Sequence, residues 1–383
     1  MPAPRLIIPH RSDGTLPDLA MYHVTSRVVH RQFLFLAEEK EYFRMLMRMC
    51  ERFSGCRINS YCVMTNHFHL LLEVPPPPLE GEFGIPEKEL IYRLGGLYSR
   101  AYVAGVQAEI LEARTLAEGK REDFSRLSQA DQKKSKAFGR EQLTAIFERY
   151  TKRMHNLSEF MRALLQRFTR WFNKRHGLRG TLWEDRFHSV IVECGFTSRT
   201  MAAYIDLNPV RAGICKDPAD YRWSSYGEAV GGGRGANKAQ SGLVRALRGH
   251  EGHPGTSRAW AQGGISKEYR KLLLTNGSEQ KETCSDGRKR VHRRGMNRKV
   301  AEKEKAALEK ADANDLKIAQ VVQCKVRYFK DGAVLGSKKF VNDFFESQRY
   351  RFSSKRKDGA RKPRGSLKGL AGKIWSLRDL KDG

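Results

Sequence analysis

Two stretches of the chain, residues 21–74 and 157–207, alternate between the hydrophobic periodicities of strands and of helices. The first changes from period two to a three- and four-residue spacing and then back to period two. Pro75–Pro78 end it, because proline cannot donate to a strand ladder. The pattern predicts a strand, a helix and two strands joined by a turn at Thr65–Asn66, with these bounds: Met21–Val29, Ala37–Phe53, Arg57–Met64 and His69–Val74.

The second stretch begins with an amphipathic helix, Leu157–Lys174, whose aromatic residues fall on one face. Phe187–Glu193 alternates as a strand, and Thr197–Leu207 predicts a helix that ends before Pro209. Between the two stretches, residues 80–150 are charged, helix-prone and poor in strand signals. We therefore predict a helical insertion there, within a fold of mixed strands and helices.

The net charge indicates the class of partner. The chain of 383 residues carries 71 Lys and Arg against 43 Asp and Glu, a formal charge of +28. Such an excess makes a polyanion, above all nucleic acid, the expected partner. No stretch approaches the ~18 apolar residues of a membrane span, so no membrane association is expected. Seven cysteines without a CxxC pair favour a reducing cytoplasm, where a DNA-binding chain would associate with the nucleoid.

Composition divides the chain into four segments. Residues 1–20 are predicted to be a flexible leader without a secretory signal. Residues 21–228 hold the strand and helix patterns, and residues 229–310 read as a linker and basic region. Residues 311–383 combine a small apolar-patterned module with a strongly basic tail. Such a tail is typical of an arm that holds nucleic acid through phosphate contacts.

The sharpest motif is His67-Phe68-His69, at the start of the third predicted strand. Residues two apart on a strand share a face, so the two imidazoles lie ~7 Å apart on one side. Two such imidazoles can converge on one metal ion. The spacing alone is also compatible with two solvated or core histidines that happen to alternate, since short motifs have a high false-positive rate.

A second motif, Tyr204-Ile-Asp-Leu-Asn208-Pro209, places Tyr204 and Asn208 one helical turn apart. A tyrosine hydroxyl beside a divalent metal is a suitable nucleophile for a phosphodiester, and an amide oxygen can complete the metal shell. By themselves, the same residues are a packing tyrosine and a helix stop. The combination with His67 and His69 favours the catalytic interpretation.

These motifs lie within five blocks whose order resembles that of the REP-associated tyrosine transposases, which are single-tyrosine HUH transposases of the insertion-sequence-200 type. The resemblance covers about residues 20–228, interrupted by the insertion. The blocks are Tyr22-His23-Val24-Thr25 with Tyr61–Leu71, then Phe168–Asn173, Gly180–Phe187, Tyr204–Gly213 and Tyr221–Ser225.

The resemblance implies an α+β fold, a ferredoxin-like antiparallel sheet with packed helices. To this core the chain adds the helical insertion and the basic C-terminal extension. It further implies that His67, His69 and Asn208 bind Mg²⁺ or Mn²⁺ and that Tyr204 is the nucleophile. Its members cleave and rejoin single-stranded DNA near imperfect hairpins through a 5′-phosphotyrosine. Mn²⁺ suits two imidazoles at least as well as Mg²⁺.

Four further residues are candidate nucleic-acid contacts. Trp183 is a candidate for stacking on a base. The other three have a plain structural alternative: a hydrogen-bonded structural histidine for His23, an ion pair for Arg186 and a role outside phosphate binding for Arg211. Three functions compete. The chain is a strand-transferring transposase, a non-catalytic protein that binds nucleic-acid hairpins, or a metal hydrolase that does not need Tyr204. The sequence leaves open whether it acts as a monomer or a homodimer.

Overall fold

The computed structural model describes most of the chain between residues 20 and 377. The predicted leader, apart from Ala20, lies outside the described residues. The apolar stretch 321–329 of the predicted C-terminal module also lies outside them. The described residues are 20–29, 32, 34–77, 83–122, 124–249, 257–262, 264–277, 280–283, 289–293, 295–309, 333–361 and 374–377.

Six of the described strands form one sheet in the order β2-β3-β1-β4-β7-β8, and β5 and β6 form a separate pair. β1 pairs antiparallel with β4, and β2 pairs antiparallel with β3. β7 joins the edge parallel to β4, and β8 follows antiparallel. The strands are β1 (Ala20–Arg27), β2 (Arg57–Val63), β3 (His67–Val74), β4 (His188–Val192), β5 (Gln280–Thr283), β6 (Lys289–Arg293), β7 (Val334–Gly336) and β8 (Trp375–Ser376).

The described helices are mostly short, and none of them is both long and apolar enough to cross a membrane. They are α1 (Ala37–Ser54), α2 (Glu87–Leu94), α3 (Arg100–Glu118), α4 (Gln129–Thr151), α5 (Leu157–His176), α6 (Phe196–Asp206), α7 (Asn208–Arg211), α8 (Ser225–Gly231), α9 (Ala236–Arg248), α10 (Ser257–Gln262), α11 (Ile265–Gly277), α12 (Arg298–Glu309) and α13 (Lys338–Ser347).

The order β1-α1-β2-β3-α5-β4, with β1 between β3 and β4, is the βαββαβ arrangement of a ferredoxin-like fold. The predicted α+β class is therefore confirmed. The sheet differs from the prediction at one edge. It is mixed rather than wholly antiparallel, because the C-terminal strand β7 runs parallel to β4. The pairing of β7 with β4 could not be predicted from local sequence patterns, because the two segments are far apart in the sequence.

β3 begins at His67, two residues before the predicted start. The amide of Met64 donates to the carbonyl of His67 at 2.8 Å, which closes a tight turn over Thr65–Asn66. The chain is therefore already extended at His67, and both histidines of the motif lie on the strand.

The chain divides into two compact units. Unit 1 spans residues 1–41, 57–73 and 179–383, and unit 2 spans residues 42–56 and 74–178. The segment boundaries at 228 and 310 stay predictions. Within unit 1, α9 lies directly on β2. A Cβ at Gly242 would be 2.5 Å from the Ile58 carbonyl oxygen, so only glycine allows this approach.

Unit 2 contains the predicted helical insertion. α3 begins at the N-cap Ser99 and ends at Gly119, whose left-handed conformation (φ 69°) suits glycine. α4 begins at the N-cap Ser128 and packs along α3. The two helices come close at Gly139, where a Cβ would be 2.7 Å from the Ala113 carbonyl oxygen. The insertion is therefore a helical hairpin held by small residues.

Within unit 1, α6 packs on one face of the sheet. Its apolar residues share a buried cluster with Met21 of β1, Leu71 of β3 and Val190 of β4. Alternation along a strand places His23 on the same face as Met21, and His69 on the same face as Leu71. Docking α6 on this face brings its side chains to the histidines.

A buried carboxyl group fixes the C-terminal end of α6. Asp206 is fully buried and accepts hydrogen bonds from the Tyr226 amide at 2.9 Å and the Tyr269 hydroxyl at 2.6 Å. Burial raises the pKa of Asp206 to about 7, and the bonds from Tyr269 and Tyr226 lower it in part. Asp206 thus ties α6 to α8 and α11.

We expect Asp206→Ala to lower the free energy of unfolding by about 3 kcal/mol, because it leaves two buried donors without an acceptor. Tyr269→Phe, which removes one of these bonds and keeps the ring, should cost about 1 kcal/mol. Urea denaturation monitored by circular dichroism measures both. Asp220→Ala, at an exposed carboxylate, is the control. An equal loss for Asp206→Ala and Asp220→Ala would contradict the role given to the buried carboxyl group.

Candidate functional site

β3 presents both histidines of the motif on one face. His69 is fully buried and His67 is half-buried. Their ring centroids are 5.1 Å apart and their planes are inclined by 77°. Phe68 points to the opposite face, where it packs edge-on against Trp183. The side chains of His67, Phe68 and His69 therefore alternate between the two faces of the sheet, as the strand pattern predicts.

β1 adds a third histidine to this face. His23 is buried, and its Nε2 lies 3.0 Å from Nδ1 of His69, within hydrogen-bonding distance. The two rings are parallel, with centroids 5.2 Å apart. The contact exists because β1 and β3 are neighbours in the sheet although the histidines are far apart in sequence.

Tyr204 of α6 lies against two of these imidazoles. Its ring is edge-on to His69, with centroids 5.8 Å apart, and edge-on to His23 at 6.1 Å. Only 1% of its surface is exposed. The structure thus joins the two motifs that lie more than a hundred residues apart in the sequence.

Asn208 and Arg211 flank Tyr204 at the end of its helix. The side-chain amide of Asn208 donates to the carbonyls of Tyr204 at 3.1 Å and Ile205 at 3.3 Å, which satisfies two carbonyls at a helix end. The guanidinium carbon of Arg211 lies 5.0 Å from the centre of the Tyr204 ring. This distance suits a cation–π contact and keeps a positive charge beside the phenol.

Two candidate nucleic-acid contacts lie elsewhere. Trp183 packs against Phe35 and Phe68, on the face of β3 opposite the histidines. Arg186 is exposed, and its backbone amide donates to the Asp185 carboxylate at 2.7 Å. Contact of either residue with nucleic acid stays a prediction. The structure does not bring them to the histidine and tyrosine cluster.

The two motif histidines are suited to binding a metal ion through Nε2. Nδ1 of His67 lies 2.7 Å from the Asn66 side-chain oxygen, and Nδ1 of His69 lies 3.0 Å from His23. Metal-binding histidines commonly engage their other ring nitrogen in this way. Among the described residues, no group of three or more His, Cys, Asp and Glu side chains could hold a metal ion. A metal would therefore need an amide oxygen, water or the ligand itself to complete its shell.

Two contacts in this cluster are not predicted from the sequence. The motif predicts Asn66 only as part of a turn, yet its side-chain oxygen lies 2.7 Å from Nδ1 of His67. His23 is a candidate DNA contact, yet its Nε2 lies 3.0 Å from Nδ1 of His69. The Asn66 contact had a signal, since a polar side chain precedes the histidine directly. The contact between His23 and His69 had none, because it depends on which strands are neighbours.

A family model confirms the resemblance for the first of the sequence blocks. Residues 18–78 match the model described as "Transposase IS200 like". The match covers β1 to β3 and the three histidines, and it ends before the helix of Tyr204. No curated protein matches the chain in sequence.

A solved structure, described as a REP-associated tyrosine transposase bound to a REP hairpin, is 15% identical to the chain. The similarity covers 55% of this chain and 79% of that one, with a TM-score of 0.31.

Proposed function

We propose that the chain is a transposase that cleaves and rejoins single-stranded DNA, with Tyr204 as the nucleophile. The observation that carries the proposal is the packing of Tyr204 against His69 and His23 on the face of β3 that presents the motif. The match of residues 18–78 to IS200-like transposases supports the same chemistry, because it includes both motif histidines.

In the proposed reaction the hydroxyl oxygen of Tyr204 forms a bond to the phosphorus of one phosphodiester. The bond from phosphorus to the 3′ oxygen breaks. The proton lost by Tyr204 is balanced by the one that the 3′ oxygen gains. The products are a 5′-phosphotyrosine and a free 3′ hydroxyl, and attack by a 3′ hydroxyl on the phosphotyrosine reverses the step. The covalent link conserves the bond energy for rejoining.

His67, His69 and the amide oxygen of Asn208 are the residues proposed to hold a divalent metal ion. Mg²⁺ or Mn²⁺ bound there would polarise and orient the scissile phosphate. The hydrogen bond between His23 and His69 fixes the tautomer. If Nε2 of His69 binds the metal, its proton is on Nδ1, and Nδ1 donates to Nε2 of His23.

Arg211 stabilises the nucleophile Tyr204 electrostatically. A guanidinium 5.0 Å from the Tyr204 ring centre favours the negative charge that develops on the oxygen as the proton leaves. The same charge attracts the phosphate that Tyr204 attacks. The half-buried position of Arg211 strengthens both effects, because solvent screens the charge less than at the surface.

The burial of Tyr204 sets a condition on the reaction. At 1% exposure, the hydroxyl cannot reach a phosphate from solution. DNA binding must therefore be accompanied by a rearrangement that exposes the Tyr204 side chain. We propose that a hairpin positions the adjoining single strand for this step, at the nucleoid, and that the formal charge of +28 supplies much of the affinity.

Replacement of the nucleophile tests the proposal. A pool of labelled single-stranded hairpin DNA, incubated with the protein and Mn²⁺, should give a protein–DNA adduct that survives denaturing electrophoresis. We expect Tyr204→Phe to abolish the adduct and to retain DNA binding, because the change removes only the attacking oxygen.

Tyr221→Phe is the matched control, since it also removes a buried hydroxyl, one that donates to the Val63 carbonyl at 2.7 Å. It should keep the adduct. If the DNA is cleaved without forming an adduct, and this cleavage persists in Tyr204→Phe, the result would favour a metal hydrolase. Salt-sensitive binding with neither adduct nor cleavage would favour the non-catalytic hairpin-binding protein.

The contact between His23 and His69 is tested by its effect on metal binding. We expect His23→Ala to weaken Mn²⁺ binding by about tenfold to a hundredfold, as is usual when the partner of a metal-binding histidine is lost. His23→Gln should restore part of the affinity, because its amide can reach Nδ1 of His69. Titration calorimetry with Mn²⁺, without DNA, measures this. Equal affinity in wild type and His23→Ala, with both folded by circular dichroism, would remove His23 from this role.

A further inference from the structure

We propose that the C-terminal module, defined as residues 333–361 and 374–377, carries a separate binding site for single-stranded DNA. In this site Tyr350 stacks on a base, and Arg351, Lys355 and Lys357 contact phosphates. The choice of DNA rests on the proposed function, whereas the existence of a site for single-stranded nucleic acid rests on the module alone.

The module is part of the sheet that carries the histidines. β7 pairs with β4 through Val334 and Leu335, and β4 pairs with β1, where Val190 lies opposite His23. At ~4.8 Å between neighbouring strands, β7 lies about 10 Å from β1. The Ser337 hydroxyl donates to the Glu193 carboxylate at 2.7 Å, directly after β4. Single-stranded DNA bound by the module is therefore attached to the β-sheet that also carries the histidines.

Two arginines give the loop after α13 a fixed shape. Arg349 donates to the carbonyls of Phe352 at 3.3 Å, Ser353 at 3.0 Å and Ser354 at 3.1 Å. Arg356 donates to the carbonyls of Gly359 and Leu377 and lies over the ring of Phe345. Arg349 and Arg356 therefore stabilise the shape of the loop. The remaining basic residues of the loop, Arg351, Lys355 and Lys357, are exposed on its surface.

The loop presents an aromatic ring to solvent. Tyr350 is 76% exposed, the highest value among the large hydrophobic side chains described. Its hydroxyl donates to Gln348 at 3.1 Å and accepts from Nε of Arg351 at 3.1 Å. These bonds hold the ring in place at the surface. An exposed ring among basic residues is the arrangement on which bases of a single strand stack.

The module carries a larger net positive charge than the longer helical insertion does. Residues 337–361 contain eight basic and three acidic residues, whereas residues 83–151 of the insertion contain twelve basic and ten acidic ones. Arg351, Lys355 and Lys357 are exposed. A polyanion is therefore attracted to the module and not to the insertion.

Stacking is tested with fluorescently labelled oligothymidine, which forms no hairpin, by fluorescence anisotropy on the full chain. We expect Tyr350→Ala to weaken binding about tenfold. Tyr350→Phe should keep most of the affinity, because it retains the stacking ring and loses only the two hydrogen bonds that hold it. Tyr92→Ala, which removes a ring that is 57% exposed in the insertion, is the control and should leave affinity unchanged. Wild-type affinity in Tyr350→Ala would overturn the proposal.

The phosphate contacts are tested by salt dependence. The triple variant Arg351→Gln, Lys355→Gln and Lys357→Gln should reduce the slope of log affinity against log salt by about 2. A control triple removes the same charge from exposed positions on α4: Lys133→Gln, Lys134→Gln and Arg140→Gln. Equal effects of the two triples would overturn the proposal, because they would indicate general attraction without a site.

These outcomes are independent of Tyr204. Oligothymidine binding requires no cleavage, so an absent adduct would leave this site standing while removing the proposed catalysis. Conversely, an adduct that forms normally while Tyr350→Ala binds like wild type would overturn only the site in the module. Much tighter binding of oligouridine than of oligothymidine would overturn the assignment to DNA.

Discussion

The position of β1 between β3 and β4 is the constraint on which the rest of the structure depends. It places His23 beside His69, with their ring nitrogens 3.0 Å apart, although 46 residues separate them. It also makes β4 the strand on which the C-terminal β7 can add. Strand order thus determines both the composition of the histidine cluster and the attachment of the C-terminal module.

The helix of Tyr204 converts this sheet face into a candidate active site. Apolar residues of α6 pack on β1, β3 and β4, and the buried Asp206 anchors the end of the helix through Tyr226 and Tyr269. A buried carboxyl group with two donors has few alternative positions, since moving it would leave the donors without a hydrogen-bond acceptor. The geometry of the candidate site is therefore supported by contacts that take no part in the proposed chemistry.

Much of the local structure could be predicted from sequence, because it depends on periodicity. The helix α5 and the strand β2 occur within a few residues of their predicted bounds. The alternation of His67, Phe68 and His69 needs only an extended backbone. Interactions that join distant segments escaped prediction, including the parallel addition of β7 and the packing of α9 on β2 through Gly242. A strand pattern records which face is buried but not which strand lies beside it.

The sequence by itself determined the βαββαβ order, the basic charge, the pair of motif histidines and the resemblance carried by its five blocks. Each of these depends on residue types and short spacings alone. Only the tertiary structure decided that Tyr204 lies against His69 and His23, that Trp183 lies on the opposite face, and that Tyr350 stands exposed on a loop shaped by Arg349. The physical reason is that these contacts follow from sheet order and helix docking, which depend on the whole buried core.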